Sequence, residues 1–142
     1  MGRNTIKQGE GTLIVNEEVY RPLVYYLRKK PKNGNKRGAP YGVVVALDKE
    51  HIGWSLQNWL DPWNRKQAVS MAAGRATRGY GYWMEQFSQW VTESGFPIGE
   101  VLQSGLPKLT AVVEAMKIVR EMAIEKEDRD AAAGRSGEVN RL

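Results

Sequence analysis

Residues 41–57 read Tyr41-Gly42-Val43-Val44-Val45-Ala46-Leu47-Asp48-Lys49-Glu50-His51-Ile52-Gly53-Trp54-Ser55-Leu56-Gln57. Three contiguous valines do not alternate between a core and a solvent face, so Tyr41–Leu47 predicts a strand buried on both sides. Asp48 to His51 is a charged turn, and Ile52–Gln57 returns as a second strand. Gly53 within it marks a bulge or a close approach of backbone or ligand.

Upstream, Thr12–Val15 and Val19–Leu27 are rich in β-branched and aromatic residues, with Asn16-Glu17-Glu18 between them to turn. They predict a hairpin. Pro22 demotes the start of its second run to an edge or a bulge. Lys29 to Pro40 is a loop. The first half therefore reads as a small antiparallel sheet of about four strands.

Downstream, the pattern turns helical. Asp61-Pro62 is a start signal, Asp as N-cap and Pro in the first turn, and predicts a helix from Pro62 to about Thr77. Val69, Ala72, Ala73 and Ala76 form its narrow apolar face, and Gly79 and Gly81 break it. A second helix is expected from about Tyr82 to Thr92, with Trp83, Phe87, Trp90 and Val91 on one face. Ser94 to Lys108 contains three glycines and two prolines and reads as a linker. The third and longest helix is expected from about Pro107 or Thr110 to about Arg129. Its stripe of Leu109, Val112, Val113, Met116, Val119, Met122 and Ala123 packs on the sheet or pairs with a second subunit. Residues 1–130 are expected to form one α+β domain, a small antiparallel sheet followed by three helices, and 131–142 a disordered tail.

Composition narrows the function. The 142 residues include no cysteine and one histidine, which excludes disulfides, thiolate zinc sites, cysteine nucleophiles and multi-histidine metal sites. No apolar run reaches the length of a membrane span. No apolar stretch precedes Leu13, so a secretory signal is not expected and a cytoplasmic location is. His51 lies in a charged turn where nothing aligns it with Ser55, and no phosphate-binding glycine loop is present. No catalytic residue, metal or cofactor is expected, and the chain reads as a non-enzyme.

The charge points elsewhere. The net charge of +5 divides into −1 over residues 1–20, +9 over 21–84 and −3 over 85–142. Such a basic middle section attracts an anion: a nucleotide, nucleic acid or an acidic partner. Within it, Trp54, Gln57, Asn58, Trp59, Trp63, Asn64, Arg65 and Lys66 crowd a strand-to-helix corner. Arginine pairs with phosphate in bidentate geometry, tryptophan stacks on bases, and amides read base edges. Trp54 and Trp63 suit core positions; Trp59 suits exposure. The run Gly74-Arg75-Ala76-Thr77-Arg78-Gly79-Tyr80-Gly81-Tyr82 adds a second basic-aromatic stretch. The candidate ligand-binding set is Arg65, Arg75 and Arg78 for phosphates, Trp59 for stacking, and Asn58 and Asn64 for base or ribose. Arg28, Lys29, Lys30, Lys32, Lys36, Arg37 and Lys66 are candidate nucleic-acid contacts.

Gly42-Val43-Val44-Val45-Ala46-Leu47, Ile52-Gly53-Trp54-Ser55-Leu56, Asp61 with Trp63, Arg65 and Lys66, and Met71-Ala72 with Gly74-Arg75-Ala76 together resemble a pattern in small phage-encoded accessory proteins. There the aromatic at the position of Trp63 is usually Phe, and a Gly often stands where this chain has Ala68. Among small phage proteins of this build, the chain is similar to the first family of Thoeris anti-defence proteins, oligomeric sponges for cyclic nucleotide immune signals. The resemblance covers residues 41–78 and carries over no binding residue. It implies a homo-oligomeric anti-defence protein in an infected bacterium that sequesters an anionic nucleotide. The alternatives are a nucleic-acid-binding accessory protein and an inhibitor of a host protein.

Overall fold

A computed structural model describes residues 5–9, 11–29, 38–57, 62–92 and 99–141, with side chains of the last helix described over 110–133. It is an α+β fold of two three-stranded antiparallel sheets and three helices. The first sheet is a meander of β1 (Ile6–Gly9), β2 (Thr12–Val15) and β3 (Glu18–Tyr20). The second is a meander of β4 (Leu23–Arg28), β5 (Pro40–Ala46) and β6 (Ile52–Leu56). The helices are α1 (Arg65–Ala76), α2 (Tyr80–Thr92) and α3 (Gly99–Arg141).

The expected hairpin forms between β2 and β3. Its two-residue turn holds Asn16 and Glu17 at φ 50° and 71°, the paired left-handed conformation whose twist matches the flanking strands. The expectation of about four strands is corrected to six among the described residues. The run Val19–Leu27 divides at Arg21-Pro22, where proline offers no N–H to a ladder, and its halves enter different sheets. Ile6–Gly9, mostly exposed, carries no apolar alternation to announce it.

β5 is the centre of the molecule. Val43 and Val45 pack with Leu13, Val15, Ala68, Val69, Ala72 and Ala73 on one face. Val44 and Ala46 pack with Ile52, Trp54, Trp83, Phe87, Val112 and Met116 on the other. The strand is thus covered on both sides: α1 and the first sheet lie on one face, α2 and α3 on the opposite one.

Gly53 sets how closely α1 lies on the sheet. A Cβ placed there would stand 2.2 Å from both the carbonyl oxygen of Ala72 and the amide nitrogen of Ala76. The close approach is therefore to the backbone of α1. The facing side of the helix is correspondingly small, with Ala68, Ala72, Ala73 and Ala76 buried.

The helix boundaries depart from expectation. α1 begins at Arg65, with Asn64 as N-cap: its side-chain oxygen accepts the Gln67 N–H at 3.0 Å, and its backbone is extended. Asn satisfies an open amide there as well as Asp does, so helix begins three residues later than Asp61-Pro62 suggested. Gly79 (φ +92°) ends the segment as expected, whereas Gly81 lies within α2. α3 begins at Gly99, so Gly105 and Pro107 of the expected linker are helical, and it continues through Arg141 across most of the expected tail. Long flanking runs of good helix formers, such as Ala131-Ala132-Ala133, outweigh the isolated breakers. Val112, Met116, Val119 and Ala123 of α3 are buried, while Met122 is exposed. The described residues include no helix long and apolar enough to cross a membrane.

Candidate ligand-binding site

Five residues of α1 and its flanks share one side of the helix axis. Asn64, Gln67, Met71, Arg75 and Arg78 follow at intervals of three, four, four and three, the spacing of helical neighbours. Arg78 lies just past the helix, where its N–H donates to the Arg75 carbonyl at 3.1 Å and keeps the turn tight. Asn64, Gln67, Met71 and Arg78 are exposed and Arg75 is half-buried. The stripe is about 21 Å long at 1.5 Å per residue.

One end of the stripe is cationic. β6 is an edge strand. The Leu47 N–H donates to the His51 carbonyl and the Gln57 N–H to the Tyr41 carbonyl. Antiparallel alternation then makes Trp54, opposite Val44, a residue whose backbone groups point to the free edge. Arg75 covers that edge: its Nη1 donates to the Trp54 carbonyl at 3.1 Å, and its guanidinium lies 5.1 Å from the Trp54 ring. The Trp83 indole N–H donates to the Arg75 carbonyl at 2.8 Å. Arg78 donates to the Tyr82 hydroxyl at 3.0 Å and lies over that ring at 5.4 Å. Burial, and then the charge of Arg78, hold the Arg75 guanidinium below the ordinary arginine value. Among the described residues no carboxylate pairs with Arg75 or Arg78. Two cations one turn apart, one half-buried and one exposed, are each backed by an aromatic ring and have no counter-charge among the described residues.

The other end carries no charged side chain among the described residues. A cavity of about 220 Å³ opens between the end of β6 and the first turns of α1. Ser55, Gln57, Asn64 and Gln67 give it polar walls; Trp63 and Met71 give it apolar ones. Side chains alternate along β6, so Ser55, two residues after Gly53, faces α1. It is 3% exposed. Among the described residues none bonds its hydroxyl, yet the buried unpartnered side-chain atom there is Trp54 Nε1 and not Ser55 Oγ. The Ser55 hydroxyl thus opens on the cavity.

The sequence-derived set does not converge on one point. Arg75 and Arg78 stand together, with Asn64 at the far end of the same stripe, its oxygen committed to capping α1. Arg65 lies ten residues before Arg75, about 15 Å along the axis, and lines a different groove of about 320 Å³ with Gln8, Thr12 and Tyr26. Lys66 is exposed, and its carbonyl accepts from Gln8 Nε2 at 2.7 Å. Trp59 and Asn58 lie outside the described residues, as do Lys30, Lys32, Lys36 and Arg37. Arg28 donates to the Gly38 carbonyl and stacks on Tyr26, with Lys29 exposed beside it. Trp54 is buried at 5.8 Å from Trp83 and 5.5 Å from Phe87, the core position expected. Trp63 is half-buried with its ring edge-on to Tyr26 at 6.5 Å. Ser55, Gln67 and Met71 were missed by sequence reasoning. The step of two from Gly53 and the steps of three and four from Asn64 carry that signal.

Other features fit an anion less well. A groove of about 450 Å³ between β3 and α3 carries Asp48, Glu127 and Asp130, and its Lys126 already donates to the Arg21 carbonyl. His51 is exposed, its Nδ1 2.8 Å from Asp48 Oδ1. Arg120 is tied to Glu50 at 3.0 Å and stacks on Tyr80. Among the described residues no cluster of His, Asp and Glu could hold a metal ion. Comparison with protein-family models, with curated proteins and with solved structures gives no match, so the site is read from its own geometry.

Proposed function

We propose that this protein binds an anionic, nucleotide-type ligand on the outer stripe of α1 and sequesters it without transforming it. The observation that carries the reading is the pair Arg75 and Arg78: adjacent, backed by Trp54 and Tyr82, and without a carboxylate partner among the described residues. A phosphate relieves the repulsion between two such guanidinium groups and accepts hydrogen bonds from both. The likeness of residues 41–78 to small phage accessory proteins supplies a role for such binding: a homo-oligomeric anti-defence protein that withholds a nucleotide signal from a host sensor.

A second reading, binding of nucleic acid, is favoured by the openness of the stripe. Arg78 is exposed, and the three grooves described above are lined by neither Arg75 nor Arg78. Native mass spectrometry of the protein purified from infected, defence-active cells tests both. A stoichiometric mass of nucleotide size, absent from Arg78→Glu, supports sequestration. An apo protein that shifts only with added oligonucleotide supports the second reading. An apo protein that shifts with neither refutes the site.

A further inference from the structure

The stripe joins two chemically different ends, and their order constrains the ligand. Among the described residues, its cavity at the β6–α1 corner is lined by no charged side chain, so it suits a neutral part of a ligand. Its volume of about 220 Å³ lies below the range of roughly 300–1,000 Å³ typical of whole-ligand pockets. Apolar walls from Trp63 and Met71 face the flat sides of a ring, and the Gln67 amide and Ser55 hydroxyl supply edge donors and acceptors. Ser55 is the independent sign that the corner is made for a ligand: a hydroxyl on a residue 3% exposed, opening on the cavity and bonded by none of the described residues. In the empty site this hydroxyl is open to water, and a ring edge carrying a donor or acceptor takes that water's place.

We infer that this cavity receives a nucleobase and that the backbone of the same ligand runs along α1 to Arg75 and Arg78, so that the ligand is an oligonucleotide of at least two nucleotides. Arg75 stands one turn beyond Met71, about 6 Å along the axis, within reach of the phosphate belonging to the base in the cavity. Arg78 stands a further turn on and meets the next phosphate. Tyr82, exposed and already held by Arg78, offers the following base a stacking surface. The free edge of β6 is not the receptor for this strand, because Arg75 occupies the outward carbonyl of Trp54. The inference rests on the proposed anion site at Arg75 and Arg78.

The test is fluorescence anisotropy of the full chain with end-labelled mono-, di- and tetranucleotides of each base, over a range of salt. A dinucleotide should bind roughly tenfold or more tightly than a mononucleotide, since it adds one phosphate contact and one stacked ring. Gln67→Ala and Ser55→Ala should change the ranking among bases by about five- to a hundredfold and leave the salt dependence alone. Arg78→Ala should weaken all sequences alike and lower the salt slope by about one. Mono- and dinucleotides of equal affinity, or a base ranking untouched by both cavity variants, overturn the inference while an effect of Arg78→Ala keeps the anion site. If Arg78→Ala changes nothing, the anion site falls with it.

Discussion

Gly53→Ala tests the geometry on which the site depends. The added methyl would lie 2.2 Å from the Ala72 oxygen, 2.2 Å from the Ala76 nitrogen and 2.7 Å from the Ala76 Cα, where ordinary contact begins at 3.4 Å. All three atoms are backbone, so no rotamer change relieves the clash. The whole of α1 must lift by about an ångström along its buried face. Overpacking that side chains absorb costs about 1–3 kcal/mol; a rigid helix places this variant at or above the upper figure. Against a total stability of roughly 5–15 kcal/mol, a loss of about 3 kcal/mol lowers the melting temperature by roughly 6–12 °C for a chain of this size. Thermal unfolding followed by far-ultraviolet circular dichroism measures it, and urea unfolding followed by tryptophan fluorescence gives the free energy. A melting temperature within about 2 °C of the parent would show that α1 does not rest on the β6 backbone as described, and would remove the basis for placing Ser55 against the cavity.

Gly81→Ala should act in the opposite sense. Nothing lies within 4 Å of the added Cβ and the position is helical, so stability should rise by about 0.5–1 kcal/mol in urea unfolding. Asn64→Ala should cost about 1 kcal/mol through the lost cap, with Asn64→Asp close to the parent; equal losses for both would argue against Asn64 as the cap. Arg75→Ala should lower stability by about 1–2 kcal/mol, since it removes both the Trp54 stack and the edge hydrogen bond, whereas the exposed Arg78→Ala should melt like the parent. Asp48 carries a pH prediction. Burial raises its carboxyl pKa, but hydrogen bonds from His51 and the Glu50 N–H outweigh it and leave the net value lowered. A carboxyl depressed in the fold contributes stability above its unfolded value of about 3.9 and loses it as pH falls through the folded value. Guanidinium unfolding should therefore show the parent's advantage over Asp48→Asn shrinking between about pH 5 and pH 3; an advantage constant over that window would count against the turn contacts.

The parts of the fold legible in the sequence are those in which one residue type leaves one option. Val43-Val44-Val45 require two covered faces, and Asn16-Glu17-Glu18 between β-branched runs announces a hairpin, although Glu18 proves to belong to β3. The alanine face of α1 was legible for the same reason. What stayed hidden depends on partners far along the chain. β1 has almost no apolar pattern and is held by pairing with β2. The start of α1 turned on Asn64, a good cap three residues on from Asp61, which lies outside the described residues. Gly99, Gly105 and Pro107 were read one by one as breakers, although helix formation is cooperative along α3, while residues 94–98 of the expected linker lie outside the described residues. The candidate site was half legible. Basic and aromatic residues are visible in sequence, but a list of arginines does not say which share a face. Arg65 and Arg75 differ by ten residues and part company, whereas Arg75 and Arg78 differ by three and meet.

The same small residues that place α1 also leave its outer face available. A helix whose backbone touches a β-strand at Gly53 carries no long side chain on the facing side, so its larger polar groups gather on the flanks and outer side. There Gln67, Met71, Arg75 and Arg78 are held on a rigid element. Arg75 is fixed further by Trp54, and Trp54 by Trp83 and Phe87. The guanidinium that would meet a phosphate is therefore anchored through aromatic packing to the core between the second sheet, α2 and α3. Such an anchor reduces the side-chain ordering that binding would otherwise cost, about 0.5–1.5 kcal/mol for each flexible side chain immobilised. Arg78, exposed and held among the described residues by Tyr82, retains more of that cost. Binding at the stripe should then lean more on Arg75 than on Arg78, and Arg75→Lys, which keeps the charge but loses the planar stack on Trp54, should recover little of the affinity lost in Arg75→Ala.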